Sequence, residues 1–128
     1  MKKCVLIVDD SAFIRRHVKV ILEKEGYMVR EAGSEFGMFD NIDQYGQMAD
    51  LILMDLTSNE TYGFDLIEKI RKVGRFKNIP IIVLTQHSDR ESVSMARLLG
   101  VKGYLVKPVN VQILVEKVKA VLDENGPY

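Results

Sequence analysis

The sequence predicts an α/β fold in which a doubly wound sheet of five parallel strands is covered by helices. Short runs of residues are apolar throughout, as is typical of parallel strands that are buried on both faces. Segments with helical periodicity follow these runs, and such βα units join by right-handed crossovers. Four predicted strands are such runs, namely Cys4–Val8, Leu51–Met54, Ile81–Leu84 and Tyr104–Val106, and a weaker fifth, Met28–Ala32, carries Arg30 and Glu31.

Five helices are predicted between and after the strands, because apolar residues recur there three or four positions apart. The second, Ser34–Tyr45, has the weakest pattern, since Gly37 and two aspartates dilute it. The stripes of the other four are Ile14, Val18, Ile21 and Leu22; Phe64, Ile67 and Ile70; Val93, Ala96 and Leu99; and Val111, Leu114, Val115, Val118, Val121 and Leu122.

The helix boundaries also have sequence signals. Ser88 followed by Glu91 predicts a capping box at the start of the fourth helix. Gly26, Gly100 and Gly46 lie where helices are expected to end.

Length and composition limit the classes of protein. With 128 residues, the chain is expected to form a single domain spanning residues 1–128, with residues 124–128 as a frayed tail. Lysine plus arginine and aspartate plus glutamate number 18 each, which argues against direct nucleic-acid binding through phosphate contacts. Cys4 is the only cysteine and no apolar run is long enough for a membrane span, so we expect a cytoplasmic protein without membrane attachment.

Polar residues follow four of the five predicted strands. Asp9 and Asp10 follow the first, Asp55 the third, Thr85 the fourth and Lys107 the fifth. Ligands of open α/β sheets bind beyond the carboxyl ends of the strands, so these side chains are candidates for one site. Structural roles are the alternative, because an aspartate before a serine can cap a helix, a threonine can end a strand and a lysine before a proline can lie in a solvated loop.

The combination favours metal-assisted phosphoryl chemistry. Three neighbouring carboxylates repel one another, which a fold tolerates when a cation uses them. Hard oxygen ligands without histidine or cysteine suit Mg²⁺. A carboxylate beside Mg²⁺ can act as a nucleophile towards phosphorus, with Lys107 as a second positive charge and Thr85 as a hydrogen-bond donor.

Four segments carry a resemblance to a known family. VLIVDDS, LILMDL with Gly63 eight residues after Asp55, IIVLT and GYLVKP occur in the order and spacing of the receiver domains of two-component response regulators, the CheY-like domains. The chain resembles this family over nearly its whole length. The resemblance implies a flavodoxin-like (βα)5 sheet with strand order 2-1-3-4-5.

The resemblance also implies roles for single residues. Asp55 would accept a phosphoryl group from the phosphohistidine of a histidine kinase or a histidine phosphotransfer protein. The Mg²⁺ ligands would be Asp10, Asp55 and the backbone carbonyl of Thr57, with Asp9 binding through water. Lys107 would bind a phosphoryl oxygen, and its bond to Pro108 would be cis, as are about 5–6% of X–Pro bonds in folded proteins.

Thr85 and Tyr104 resemble the switch pair of the family. On phosphorylation the hydroxyl of Thr85 would move to the phosphoryl group and the ring of Tyr104 would turn inward. This population shift would reshape the surface of the fourth helix, fifth strand and fifth helix, where a downstream protein docks. The alternative for Tyr104 is a core aromatic. The chain would be a signalling phosphoacceptor, not an enzyme, although it assists its own phosphotransfer and dephosphorylation.

The sequence departs from the family pattern around the acceptor. Ser58 and Asn59 replace the common Met-Pro pair, which removes a fixed φ angle from the loop after Asp55. Gln86 replaces a small residue and could crowd the site or hydrogen-bond to it. With His87 and Thr57 at the positions that tune hydrolysis, we expect an altered lifetime of the acyl phosphate.

Two other classes of function stay open at this point. A binding module without phosphate chemistry is favoured slightly by Ser58, Asn59 and Gln86, and disfavoured by the complete set of site residues. A flavin carrier of the same fold is disfavoured by Asp9 and Asp10, which would repel the phosphate of the flavin.

Overall fold

The strands and helices follow the predicted order along the chain. The computed structural model describes residues 2–34, 37–39, 49–55, 60–73 and 76–123. The strands are β1 Cys4–Val8, β2 Met28–Ala32, β3 Leu51–Asp55, β4 Ile81–Thr85 and β5 Gly103–Val106. The helices are α1 Ala12–Lys24, α2 Glu60–Lys72, α3 Arg90–Leu98 and α4 Val111–Leu122.

All five strands are parallel and form one sheet in the order β2-β1-β3-β4-β5. The predicted fold class and strand order are therefore confirmed. The helix predicted over Ser34–Tyr45 falls largely outside the described residues. The part of this segment that the structure describes includes residues 37–39, which are helical. Gly46 and the tail 124–128 also lie outside them.

The central strands are buried on both faces, as their uninterrupted apolar runs predict. Every residue of β1 and β4 is buried. Because successive side chains of a strand point to opposite faces, each strand feeds two cores. One core contains Leu6, Val8, Ile52, Met54, Ile81 and Val83. The other contains Val5, Ile7, Leu51, Leu53, Ile82 and Leu84.

The helices cover both faces of the sheet. Leu66, Ile67 and Ile70 of α2 pack into the first core. The stripes of α1 and α4 pack into the second, through the buried residues Val18, Leu22, Leu114, Val118, Val121 and Leu122. Burial of one leucine or valine side chain contributes about 1.5–3 kcal/mol, so this two-sided packing holds the strand ends in place.

Two helices end in glycine, as predicted. Gly26 after α1 and Gly100 after α3 have φ angles of 94° and 76°, a backbone conformation that glycine adopts without strain. In each case the amide N–H of the residue after the glycine donates to the carbonyl of the third-last residue of the helix: Tyr27 to Leu22 and Val101 to Ala96. These are Schellman motifs, which satisfy carbonyls at the end of the helix.

The predicted capping box at Ser88 is wrong. The N-cap of α3 is Asp89, whose carboxylate accepts from the amide N–H of Ser92 at 3.0 Å and from its hydroxyl at 2.9 Å. Aspartate and serine are both good N-caps, and each of these two neighbours has a polar partner three residues on. The sequence alone therefore did not separate two starts that differ by one residue.

Candidate functional site

The predicted site residues lie at the carboxyl ends of four neighbouring strands. Asp9 follows β1 and Lys107 follows β5, while Asp55 and Thr85 are the last residues of β3 and β4. The parallel register aligns these ends, with Val8 opposite Met54, Asp55 opposite Leu84 and Thr85 opposite Val106. The sheet thus brings residues that are far apart in sequence to one edge.

Three carboxylates meet at this edge. One oxygen from each of Asp9, Asp10 and Asp55 lies within 4.8 Å of the others. Asp9 is buried, with 2% of its surface exposed, whereas Asp10 is exposed. The cluster therefore has a buried side and a side open to solvent.

Lys107 balances part of this negative charge. Its Nζ lies 2.8 Å from Oδ2 of Asp55 and 3.6 Å from Oδ2 of Asp9. Its side chain is 13% exposed, so the ammonium contacts the carboxylates in a largely desolvated setting where charge–charge interactions are strong. The lysine is thus not a solvated loop residue. Its bond to Pro108 is cis, as the resemblance implied.

The two carboxylate oxygens of Asp9 have different surroundings. Oδ1 accepts from the amide N–H of Ser11 at 2.8 Å. Oδ2 is buried and accepts no hydrogen bond from any described residue. Burial, followed by the neighbouring Asp55, raises the pKa of Asp9 to about 6, against the opposing effects of the Ser11 amide and Lys107.

Neither Asp9 nor Asp10 caps α1, which was the alternative role for these two residues. The N-cap of α1 is Ser11, whose hydroxyl accepts from the amide N–H of Ile14 at 3.3 Å. Asp9 supports the turn before the helix through one oxygen only. Its second oxygen remains directed to Lys107 and the acidic cluster.

The cluster fits a hard divalent cation. Carboxylate oxygens are the ligands that Mg²⁺ prefers, and two oxygens on opposite sides of one Mg²⁺ lie about 4.2 Å apart. The three oxygens of the cluster lie within 4.8 Å of one another, which leaves room for one cation in contact with all of them. The buried oxygen of Asp9 without a hydrogen bond is a further observation in favour of a cation. Thr57, whose backbone carbonyl is a further expected ligand, lies outside the described residues, as do Ser58 and Asn59.

Thr85 and Tyr104 are linked through the backbone of one residue. The buried Thr85 hydroxyl accepts from the amide N–H of His87 at 3.0 Å. The carbonyl of His87 accepts from the hydroxyl of Tyr104 at 2.7 Å. The ring of Tyr104 is half-buried and packs against the first core. The predicted switch residues therefore belong to one hydrogen-bonded path in this structure.

Gln86 is not part of the hydrogen-bonded path formed by Thr85, His87 and Tyr104. Its side chain is exposed and lines a groove of about 420 Å³ between α1 and α4, next to Lys107 and Pro108. An effect of Gln86 on the acyl phosphate, through crowding or hydrogen bonding, stays a prediction.

One residue beside the site was not singled out from the sequence. Arg15 of α1 donates through Nη1 to the backbone carbonyl of Asp9 and through Nε to Oε1 of Glu31 at 3.2 Å. No local pattern signals this contact, because it needs α1 to pack against the end of β2. The sequence presents that strand end, Ala32 and Gly33, as featureless.

Comparisons with known proteins agree with the geometry. Residues 5–119 match the family model of the response regulator receiver domain. The chain is 37% identical over 122 residues to the chemotaxis protein CheY1 of Helicobacter pylori, covering 94% of this chain and 98% of that protein. It is 36% identical over 122 residues to CheY of Thermotoga maritima, with the same coverage.

Solved structures show the same architecture. The structure of the chemotaxis protein CheY4 of Vibrio cholerae, crystallised at low pH, has a TM-score of 0.85 and 30% sequence identity, and the match covers 95% of this chain and 100% of that one. A CheY-like receiver domain protein from Methanospirillum hungatei has a TM-score of 0.84 at 33% identity and covers 97% and 96% of the two chains. Among the described residues, no helix is both long and apolar enough to cross a membrane.

Proposed function

The chain belongs to the response regulator receiver domain family of two-component signalling, and from this premise we propose that Asp55 is its phosphoacceptor. The observation that carries the proposal is the cluster of Asp9, Asp10 and Asp55 with Lys107 at 2.8 Å from Asp55. The donor would be a phosphohistidine on a histidine kinase or a histidine phosphotransfer protein. A cytoplasmic location and the absence of a separate enzymatic activity are part of this proposal.

In the proposed reaction a carboxylate oxygen of Asp55 attacks the phosphorus of the phosphohistidine. The new O–P bond forms as the N–P bond breaks, and the imidazole leaves with the electron pair of that bond. Asp9, Asp10, Asp55 and the carbonyl of Thr57 would hold Mg²⁺, which, when bound, neutralises charge on the transferred phosphoryl group. Lys107 exchanges its contact with Asp55 for one with a phosphoryl oxygen.

The path from Thr85 to Tyr104 supports a switch that follows phosphorylation. If the Thr85 side chain moves so that its hydroxyl donates to a phosphoryl oxygen, the hydroxyl leaves the amide N–H of His87, from which it accepts in this structure. The carbonyl of the same residue holds the hydroxyl of Tyr104, so the change reaches β5. The surface formed by α3, β5 and α4, which corresponds to the predicted docking face, would then alter for a downstream protein.

Phosphorylation by a small donor tests the proposal without knowledge of the kinase. We expect acetyl phosphate with Mg²⁺ to add one phosphoryl group to the wild-type chain, detected by intact mass and located by peptide mapping at Asp55. Asp55→Asn should stay unmodified, and omission of Mg²⁺ should suppress labelling of the wild type. A wild-type chain that is not labelled, under conditions that label another receiver domain, would overturn the proposal.

A second experiment separates the proposed function from the alternative of a binding module without phosphate chemistry. Such a module would bind its partner equally well before and after addition of beryllofluoride, a phosphoryl mimic. Under the proposed function, partner affinity changes with beryllofluoride in the wild type and is unaffected by it in Asp55→Asn.

A further inference from the structure

We propose that Arg15 is a positioning residue that fixes the peptide bond between Asp9 and Asp10 and so sets the geometry of the cation site. This inference rests on the proposed function, because it concerns the cation that the acidic cluster would bind. Arg15 does not reach the cation itself. It acts on the backbone that carries two of the three carboxylates.

Both backbone polar groups of Asp9 form hydrogen bonds, one with the last residue of β2 and one with Arg15 of α1. Its amide N–H donates to the carbonyl of Ala32 at 3.0 Å. Its carbonyl accepts from Nη1 of Arg15. Because the carbonyl of Asp9 and the amide of Asp10 belong to one planar peptide unit, a rotation of this unit would move the Asp10 side chain relative to Asp9. Arg15 opposes that rotation.

The guanidinium is itself held in place. Its Nε donates to Oε1 of Glu31 at 3.2 Å, and the Arg15 side chain is only 17% exposed. Lys19 lies on the other oxygen of Glu31, with 3.7 Å between Nζ and Oε2. Arginine suits this task because its rigid planar fork makes two contacts at a fixed angle, which the single ammonium of lysine does not reproduce.

Gly33 leaves the space that the guanidinium occupies. A Cβ atom added at this position would lie 3.1 Å from Nη1 of Arg15, which is tighter than an ordinary van der Waals contact. The guanidinium would have to shift by a few tenths of an ångström. Substitution of Gly33 thus disturbs the contact with Asp9 while Arg15 and every carboxylate remain present.

The sign of the effect on cation affinity separates positioning from simple charge. Arg15 is a cation near the cluster, so its charge alone weakens binding of Mg²⁺ by repulsion. If charge were its only influence, a neutral residue at position 15 would bind Mg²⁺ more tightly. If Arg15 positions the Asp9–Asp10 peptide, the same substitution weakens binding.

The test is titration of Mg²⁺ into the unphosphorylated protein, followed by calorimetry and by the amide resonance of Asp10. We expect Arg15→Met to lower Mg²⁺ affinity about tenfold, the size of effect seen when a group that orients a metal ligand is removed. Arg15→Lys and Gly33→Ala should each give a smaller loss. Arg16→Met, which removes an exposed positive charge from the next position of α1, should leave the affinity unchanged or slightly higher.

The outcomes are distinct. Unchanged or tighter binding by Arg15→Met, with the wild type binding normally, overturns the role of Arg15 and leaves the proposed function intact. Absence of Mg²⁺ binding by the wild type overturns the proposed cation site and this inference with it. Should Arg15→Met fail to fold by circular dichroism, Gly33→Ala decides: weaker binding supports the role, and unchanged binding contradicts it.

Discussion

Asp9 carries a buried charge that the fold alone does not need. Its Oδ2 atom is buried, lies 3.6 Å from Nζ of Lys107 and accepts no hydrogen bond from the described residues. We therefore expect Asp9→Asn to raise the free energy of unfolding of the metal-free protein at pH 7 by about 1–3 kcal/mol, since removing a poorly compensated buried charge removes its desolvation cost. Urea denaturation in the presence of a chelator measures this change, with the exposed Asp10→Asn as the matched control.

The increase in the free energy of unfolding caused by Asp9→Asn should become larger as pH rises. The pKa of Asp9 is raised to about 6 in the folded protein, from an ordinary value of 3.8. Between these values the folded state binds more protons than the unfolded state, so wild-type stability falls as pH rises. The advantage of Asp9→Asn should be small at pH 4 and complete by pH 7. An advantage that grows towards low pH would contradict the raised pKa.

At the residue scale, sequence predicted which side chains meet but not how each is held. The apolar runs fix where β1, β3 and β4 end, and so place Asp9, Asp55 and Thr85 at one edge. The contact between Arg15 and Asp9 was not predictable in this way. It depends on how closely α1 approaches the end of β2 and on the space beside Gly33, which has no Cβ atom.

At the scale of elements, the start of α3 provides a direct comparison of two adjacent residues. Asp89 caps the helix through the amide N–H and hydroxyl of Ser92, whereas the sequence pattern favoured Ser88. Asp89→Ala should lower the thermal midpoint by a few degrees, because a lost N-cap exposes an unsatisfied amide. Ser88→Ala should leave it unchanged. The reverse order of the two midpoints would restore the capping box at Ser88.

The connection between β4 and β5 should transmit the switch. Thr85→Ala removes the acceptor for the amide N–H of His87 but leaves the carboxylate cluster in place. We expect beryllofluoride with Mg²⁺ still to bind this variant, while the amide shifts of His87 and Tyr104 that it causes in the wild type become much smaller. Heteronuclear NMR resolves both effects in one titration.

Tyr104→Phe is the complementary variant for this path. It keeps the half-buried ring and removes only the hydroxyl that donates to the carbonyl of His87. If the ring is merely a core aromatic, Tyr104→Phe should leave the response of β5 to beryllofluoride unchanged. A response that is reduced in Tyr104→Phe supports the hydrogen-bonded path.

At the scale of the whole molecule, the layered fold was readable because its signals are repeated. Uninterrupted apolar runs predict strands buried on both faces, and the two cores are built from alternate residues of those runs. The order of the strands rests on the resemblance, since periodicity does not say which strand lies beside which. The charge balance likewise limits the class of partner without naming one.

Because the acidic cluster joins β1 to β3, cation binding should be coupled to the stability of the entire sheet. The three carboxylates lie together only while the two strands are paired, so Mg²⁺ binds the folded chain and not the unfolded one. At 100 times the dissociation constant, Mg²⁺ should raise the free energy of unfolding by about 2.7 kcal/mol, and addition of a chelator should reverse the gain. Denaturation monitored in parallel by far-ultraviolet circular dichroism and tyrosine fluorescence should give one shared transition, as expected when β1 and β3 unfold with the rest of the sheet.

Asp9→Asn should be more stable than the wild type without Mg²⁺ and should gain much less stability on its addition. The difference between their free energies of unfolding should therefore shrink, or change sign, as the concentration of Mg²⁺ is raised. An equal gain in both proteins would place the stabilising ion away from the cluster.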